Sequence, residues 1–195
     1  MHKNLSHILL IILLLIQGCG LFDSRSVEPP TESRSNFEQP TTPNIVLDNL
    51  NFSIVEKNLD NYLRCFVDTN FSPRRFRYFP DAVSQASYPV FIGWNMNNEK
   101  AYYNNLISFT NPDAPSNLFR SNVINNSFID SAIIDLDYIF VFNHNRQSVA
   151  VESKGKLRFI MGTDSRGLWS IHSWYDFLDA NNDTTWSVIK ANFVN

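Results

Sequence analysis

Long apolar runs, basic excess, glycine and cysteine are all scarce in this 195-residue chain, and each scarcity removes a class of function. The longest unbroken apolar run covers residues 8–16, nine residues against the ~20 that a helix needs to cross a ~30 Å hydrocarbon core. A membrane-spanning helix is not expected. Sixteen Lys and Arg stand against nineteen Asp and Glu, a net charge of −3, so there is no broad basic field for a nucleic-acid partner. The six glycines form no phosphate-cradling loop and no G-x-S-x-G elbow, and the two cysteines form no C-x-x-C pair.

What is present begins with an address. Lys3 precedes the apolar run and Gln17-Gly18-Cys19 follow it, the layout of a cleaved signal segment. The residues Ile16-Gln17-Gly18-Cys19 resemble the lipobox of bacterial lipoproteins, with an aliphatic residue three positions before the cysteine and a small residue directly before it. Gln17 stands where a small residue is commoner. The resemblance implies a signal peptide over residues 1–18, a diacylglycerol joined to the Cys19 thiol, and acylation of the new amino group. The membrane is then a partner through the lipid anchor: one acyl chain binds marginally, at ~0.8 kcal/mol per buried CH₂, whereas two or three hold stably. Gly20 is not acidic, which in lipoproteins with outer-membrane sorting implies the outer membrane, facing the periplasm. Loss of the leader also removes His2 and His7, leaving His144 and His172, too few for a histidine-rich metal site. Cys65 is left without a disulfide partner in the chain, and beside Leu63, Phe66 and Val67 it reads as a buried small hydrophobe.

Residues 20–43 hold four of the nine prolines among many Ser, Thr and Glu, a composition that cannot bury enough apolar surface to offset its ordering entropy. With Cys19 they form the expected lipidated tether, 19–43, spanning on the order of 25 to 30 Å as a flexible coil. Residues 44–195 are expected to fold as a single domain, for which sixteen Phe and a 14% aromatic content supply core material.

Within that domain the hydrophobic period changes half-way. Val46, Leu47, Leu50 and Ile54, then Leu59, Tyr62, Leu63 and Phe66, predict two amphipathic helices broken at Lys57-Asn58. A short strand is expected over residues 76–79, and a helix from Asn95 or Met96 to Phe109. From Ile134 the period becomes two. Leu136, Tyr138, Phe140 and Phe142 alternate with Asp135, Asp137, Ile139 and Val141, and Leu157, Phe159 and Met161 alternate with Lys156 and Arg158, predicting a long antiparallel hairpin. A third strand over 168–177 follows the Asp164-Ser165-Arg166-Gly167 turn. The fold class expected is α+β, N-terminal helices packed on a long curved antiparallel sheet.

That order of elements carries a resemblance, together with Pro43-Asn44-Ile45-Val46-Leu47-Asp48-Asn49-Leu50, with Trp94 and Glu99 before Leu106, and with Trp169-x-Ile171-x-x-Trp174-x-Asp176 followed by Trp186-Ser187-Val188-Ile189-Lys190-Ala191-Asn192-Phe193. Residues 44–194 resemble the NTF2-like (SnoaL-type, cystatin-like cone) superfamily. The resemblance implies a sheet curled around the helices to leave a conical pocket, which in some members hosts isomerases, dehydratases or hydrolases and in others only binds. Tyr62, Tyr138, Trp169, His172 and Trp174 are then the expected pocket-lining residues. No catalytic signature and no cofactor come with it.

The sharpest acid–base candidate is His172 with Asp176. Strict alternation would put both on one strand face, yet four residues along a strand is about 13 Å, too far for direct contact. Tyr62 and Asp60 could line the same pocket. Asp135 and Asp137 read better as cross-strand ion pairs with Lys154, Lys156 and Arg158 than as paired catalytic carboxylates. Residues 179–183 begin like a calcium loop, but Thr184 replaces the glycine at position six and Lys190 the glutamate at position twelve, so a polar turn is expected and no metal. The function expected is a membrane-anchored envelope lipoprotein whose cone binds a small apolar ligand or a protein partner. The alternative is a small pocket enzyme of isomerase, dehydratase or hydrolase type, and the open sheet face leaves room for a homodimer.

Overall fold

The first helix starts where a side chain can satisfy its end. Thr42 Oγ1 accepts the Ile45 N–H at 3.4 Å, Pro43 brings a pre-set φ to a position whose N–H needs no partner, and α1 runs over Pro43–Val55. Val46, Leu47, Leu50 and Ile54 form its buried stripe. Lys57 takes a left-handed φ of 51°, and Asn58 caps α2 (Leu59–Arg64) by accepting the Asn61 N–H at 3.0 Å. The break lies where the periodicity put it.

This computed structural model describes residues 35–179 and 184–195. The expected signal segment, Cys19, the expected tether up to residue 34 and residues 180–183 of the expected polar turn lie outside them. Residues 35–42 are bonded to the domain. The Glu38 N–H donates to Asn49 Oδ1 at 2.8 Å, Asn49 Nδ2 returns a bond to the Glu38 carbonyl at 2.7 Å, and the Trp169 N–H donates to the Pro40 carbonyl at 2.8 Å. The packed unit therefore includes residues 35–42, ahead of the boundary expected at residue 44. Composition reports a segment's own burial capacity and is blind to backbone partners supplied from elsewhere.

One five-stranded sheet carries the rest. Its strands are β1 (Arg77–Phe79), β2 (Ser116–Ser127), β3 (Ser131–Phe142), β4 (Glu152–Thr163) and β5 (Trp169–Phe177). They lie in the order β1-β5-β4-β3-β2, with β1 parallel to β5 and every other pair antiparallel. The sheet is curved and unclosed. Helices α3 (Ala82–Ser87), α4 (Met96–Ser108) and α5 (Trp186–Phe193) complete the α+β arrangement with α1 and α2. On β3 every even residue from Ala132 to Phe142 is buried. On the opposite face Arg158 meets Asp135 through two bonds of 2.7 and 3.1 Å, the cross-strand pair expected there. Gly155 sits directly opposite Tyr138 in the register, and a Cβ at that position would lie 2.6 Å from the Phe177 carbonyl oxygen. Only glycine fits there.

Strand β2 and helices α3 and α5 were not foreseen. Beyond Arg120, β2 is exposed on both faces, so it carries no period-two signal to read. Helix α3 is only six residues long and starts at Asp81, whose Oδ1 accepts the N–H groups of Val83 and Ser84 at 3.0 Å each.

Alternation fails at one residue of β5, and the failure moves a candidate. Ile171 pairs with Met161 and Ser173 with Ile160, so His172 is the extra residue of a β-bulge. Trp169 and Ile171 before it, and Trp174 and Asp176 after it, all turn to the buried face. His172 and Asp176 are thus on opposite faces, and the expectation that they share one is corrected.

Candidate functional site

The interior of the curved sheet holds charges that no solvent reaches. Lys190 of α5 and Glu99 of α4 form an ion pair in which both side chains have 0% exposure. Tyr62 donates its hydroxyl to Glu99 Oε1 at 2.6 Å and Trp94 its Nε1–H to Oε2 at 2.8 Å, so both carboxylate oxygens are used. The ammonium is ringed by aromatic faces. Its Nζ lies 3.9 Å from the ring centroid of Trp174, 4.4 Å from Tyr78, 4.7 Å from Tyr102 and 5.7 Å from Trp94. Burial lowers the Lys190 pKa from its ordinary value, against the pull of the Glu99 carboxylate beside it.

A second buried network fastens the start of α5. That helix has no capping side chain of its own. Its orphan N–H groups are met by the sheet instead: Ser187 N–H and Oγ–H donate to Asp176 Oδ2 at 2.7 and 2.6 Å, and Trp186 N–H donates to the Tyr138 hydroxyl at 2.7 Å. Tyr138 donates its own hydroxyl to Asp176 Oδ1 at 2.9 Å, and Thr185 Oγ donates to Asp81 at 2.7 Å. Burial raises the Asp176 pKa to about 6, against the Ser187 and Tyr138 hydrogen bonds that favour its charged form. Trp186 fills what space remains, stacked on Phe140 at 4.1 Å and edge-on to Trp174 at 4.6 Å.

The expected lining residues separate accordingly. Tyr62, Tyr138 and Trp174 are buried inside these networks and line none of the described cavities. His172 sits half-buried at the bulge with its Nδ1 3.2 Å from Ser173 Oγ, and Asp60 is exposed on the outer side of α2. Of these residues Trp169 alone lines a described cavity. Cys65 is buried with its Sγ 3.4 Å from the Asn61 carbonyl, and burial pushes its thiol pKa upward, away from reactivity. Among the described residues no three His, Cys, Asp or Glu side chains are grouped to hold a metal ion. Glu99 and Lys190 were each in view in the sequence, but as single letters. Their pairing joins residues 91 positions apart, and a lysine in an eight-residue amphipathic stretch gives no sign of facing inward.

The open space beside Trp169 is a groove of about 450 Å³. Phe66 and Val67 from the end of α2, Leu63, Met96 at the start of α4, and Leu168 give it apolar walls, with Arg64, Lys100 and Arg166 on its rim. Phe66 separates it from the filled interior, its ring stacked 6.2 Å from Trp174.

No protein-family model matches the chain, and no curated protein sequence does. Solved structures do. A candidate aromatic ring hydroxylase from Novosphingobium aromaticivorans superposes with a TM-score of 0.51 at 12% identity, covering 74% of this chain and 91% of that one. A candidate dehydratase of the NTF2-like family from Streptomyces avermitilis gives 0.51 at 8% identity, covering 70% and 92%. The fold is the NTF2-like cone. A candidate scytalone dehydratase, also from N. aromaticivorans, gives 0.51 at 10% identity over 67% and 77%. At these identities the likeness reaches the fold and stops there. In this NTF2-like cone the interior is occupied by α5, whose Trp186 and Lys190 stand where the resemblance implied a conical pocket.

Proposed function

We propose that this protein is a bacterial envelope lipoprotein, anchored through acylated Cys19, whose NTF2-like domain is a non-catalytic binding module. The observation that supports the absence of chemistry is the filled cone. Glu99, Lys190, Asp81 and Asp176, the buried charged groups among the described residues, each have 4% exposure or less and are bonded within the chain; Asp81 and Asp176 also border a separate cavity of about 380 Å³. An isomerase, dehydratase or hydrolase needs substrate within hydrogen-bond reach of its acid or base. The groove beside Trp169 is an accessible apolar concavity with charged groups at its edge, the usual character of a small-ligand site.

Two measurements test the reading. Cys19→Ala is expected to abolish metabolic acyl labelling and release the protein from membranes, and continued labelling of that variant refutes the anchor. The full chain purified from native membranes and examined by mass spectrometry is expected to carry a bound small molecule or protein. A preparation bare of both, repeated after mild cross-linking, refutes the binding module.

A further inference from the structure

The rim of the Trp169 groove is unevenly charged once its internal pairings are accounted for. Of its two carboxylates, Asp164 is committed to Arg166 at 2.6 Å and to the N–H groups of Arg166 and Leu168, all within the β4–β5 turn. Asp68 Oδ1 accepts two bonds from Asn70, both at 2.9 Å, which orient the carboxylate without meeting its charge. Arg166 is neutralised by Asp164 and lies over the Phe71 ring at 3.6 Å. Among the described residues two cations without an ion-pair partner stand against the Asp68 carboxylate, an excess of one positive charge. Arg64 rests on the Phe37 ring at 3.9 Å and spends one nitrogen on Asn61 Oδ1 at 3.1 Å, which orients the guanidinium without meeting its charge. Lys100, exposed on the first turns of α4, makes no ion pair among the described residues.

We propose that this groove takes an amphipathic monocarboxylate, its apolar body against Leu63, Phe66, Met96 and Trp169 and its head group at Lys100 and Arg64. The inference deepens the binding-module reading and rests on it. The apolar walls supply affinity for any hydrocarbon body, and the excess of cations over the single unpaired carboxylate, Asp68, supplies the sign preference. A carboxylate there gains charge-assisted hydrogen bonds, whereas an ammonium of the same body meets like charge. The volume, about 450 Å³, falls in the range of small-molecule sites.

The test uses three probes with one body and three heads: octanoate, octanol and octylammonium, each titrated calorimetrically at fixed ionic strength into the full chain carrying Cys19→Ala, so that no acyl anchor competes. Octanoate is expected to bind saturably, about tenfold tighter than octanol, with octylammonium weakest. Lys100→Glu, at an exposed position where folding is not at stake, is expected to weaken octanoate about tenfold and to strengthen octylammonium. Equal binding of octanoate and octanol, indifference to Lys100→Glu, or no saturable octanoate binding each overturns the inference. The larger reading fails separately: a ligand or partner recovered from native membranes without any octanoate binding leaves the module standing and removes only the anion.

Discussion

Asp176 on β5 accepts the Ser187 backbone N–H of α5 at 2.7 Å, so a strand carboxylate does for this helix what an N-cap residue ordinarily does from within the chain segment itself. The bond explains why a helix of eight residues, too short to be stable alone, holds its place in the cone. It also makes the filling of the cone dependent on one buried acid.

Asp176→Ala is accordingly expected to cost about 2 to 3 kcal/mol, because it strands the Ser187 N–H and the Tyr138 hydroxyl in dry surroundings. Asp176→Asn keeps an acceptor oxygen and is expected to recover part of the loss. Urea midpoints of the two variants check the order.

Stability should also depend on pH through this residue. Its pKa stands at about 6 in the folded chain against an ordinary 3.8, so between those values the native state keeps a proton that the unfolded chain has released. The contribution is full below pH 3.8 and declines as pH rises through about 6. The stability difference between wild type and Asp176→Asn, followed by thermal melting across that window, is expected to shrink with rising pH. A difference that grows instead refutes the assignment.

The Lys190–Glu99 pair is predicted to be worth more in the breaking than in the having. Lys190→Met or Glu99→Gln alone leaves a buried partner uncompensated and is expected to cost about 3 to 5 kcal/mol, while the double variant costs less than either. A double-mutant cycle in denaturant measures it. Strict additivity of the two single losses would contradict a coupled pair.

Gly155→Ala tests the packing of the sheet against itself. The added methyl would meet the Phe177 carbonyl oxygen at 2.6 Å and the Tyr138 ring at 3.2 Å, both held by the β-ladder and the Asp176 network. A loss of about 1 to 3 kcal/mol is expected, and a neutral effect would mean the strands separate more easily there than their register implies.

Much of the frame was legible because it rests on local period and local capping. The stripe of α1, the stop at Lys57-Asn58 and the even-numbered face of β3 each follow from residues within one element. The candidate site was legible only in its members. Tyr62, Tyr138, Trp169 and Trp174 were singled out, but three of them support a filled interior and one borders a groove. His172 was placed on the wrong face because a bulge costs one residue of parity and leaves no mark in composition.

By itself, then, the sequence determined the α+β class, the alternating strands and a solvated face on which Asp135 and Asp137 oppose the cations of the next strand, since side chains of one period must share one face. Tertiary structure alone decided that α5 fills the interior of the cone. Nothing local to Lys190 marks it as buried; it becomes so when Glu99, Tyr78 and Trp174, brought from distant parts of the chain, surround it. A charge is tolerated in a dry interior only when a counter-charge and aromatic faces meet it there, and that meeting is a property of the fold.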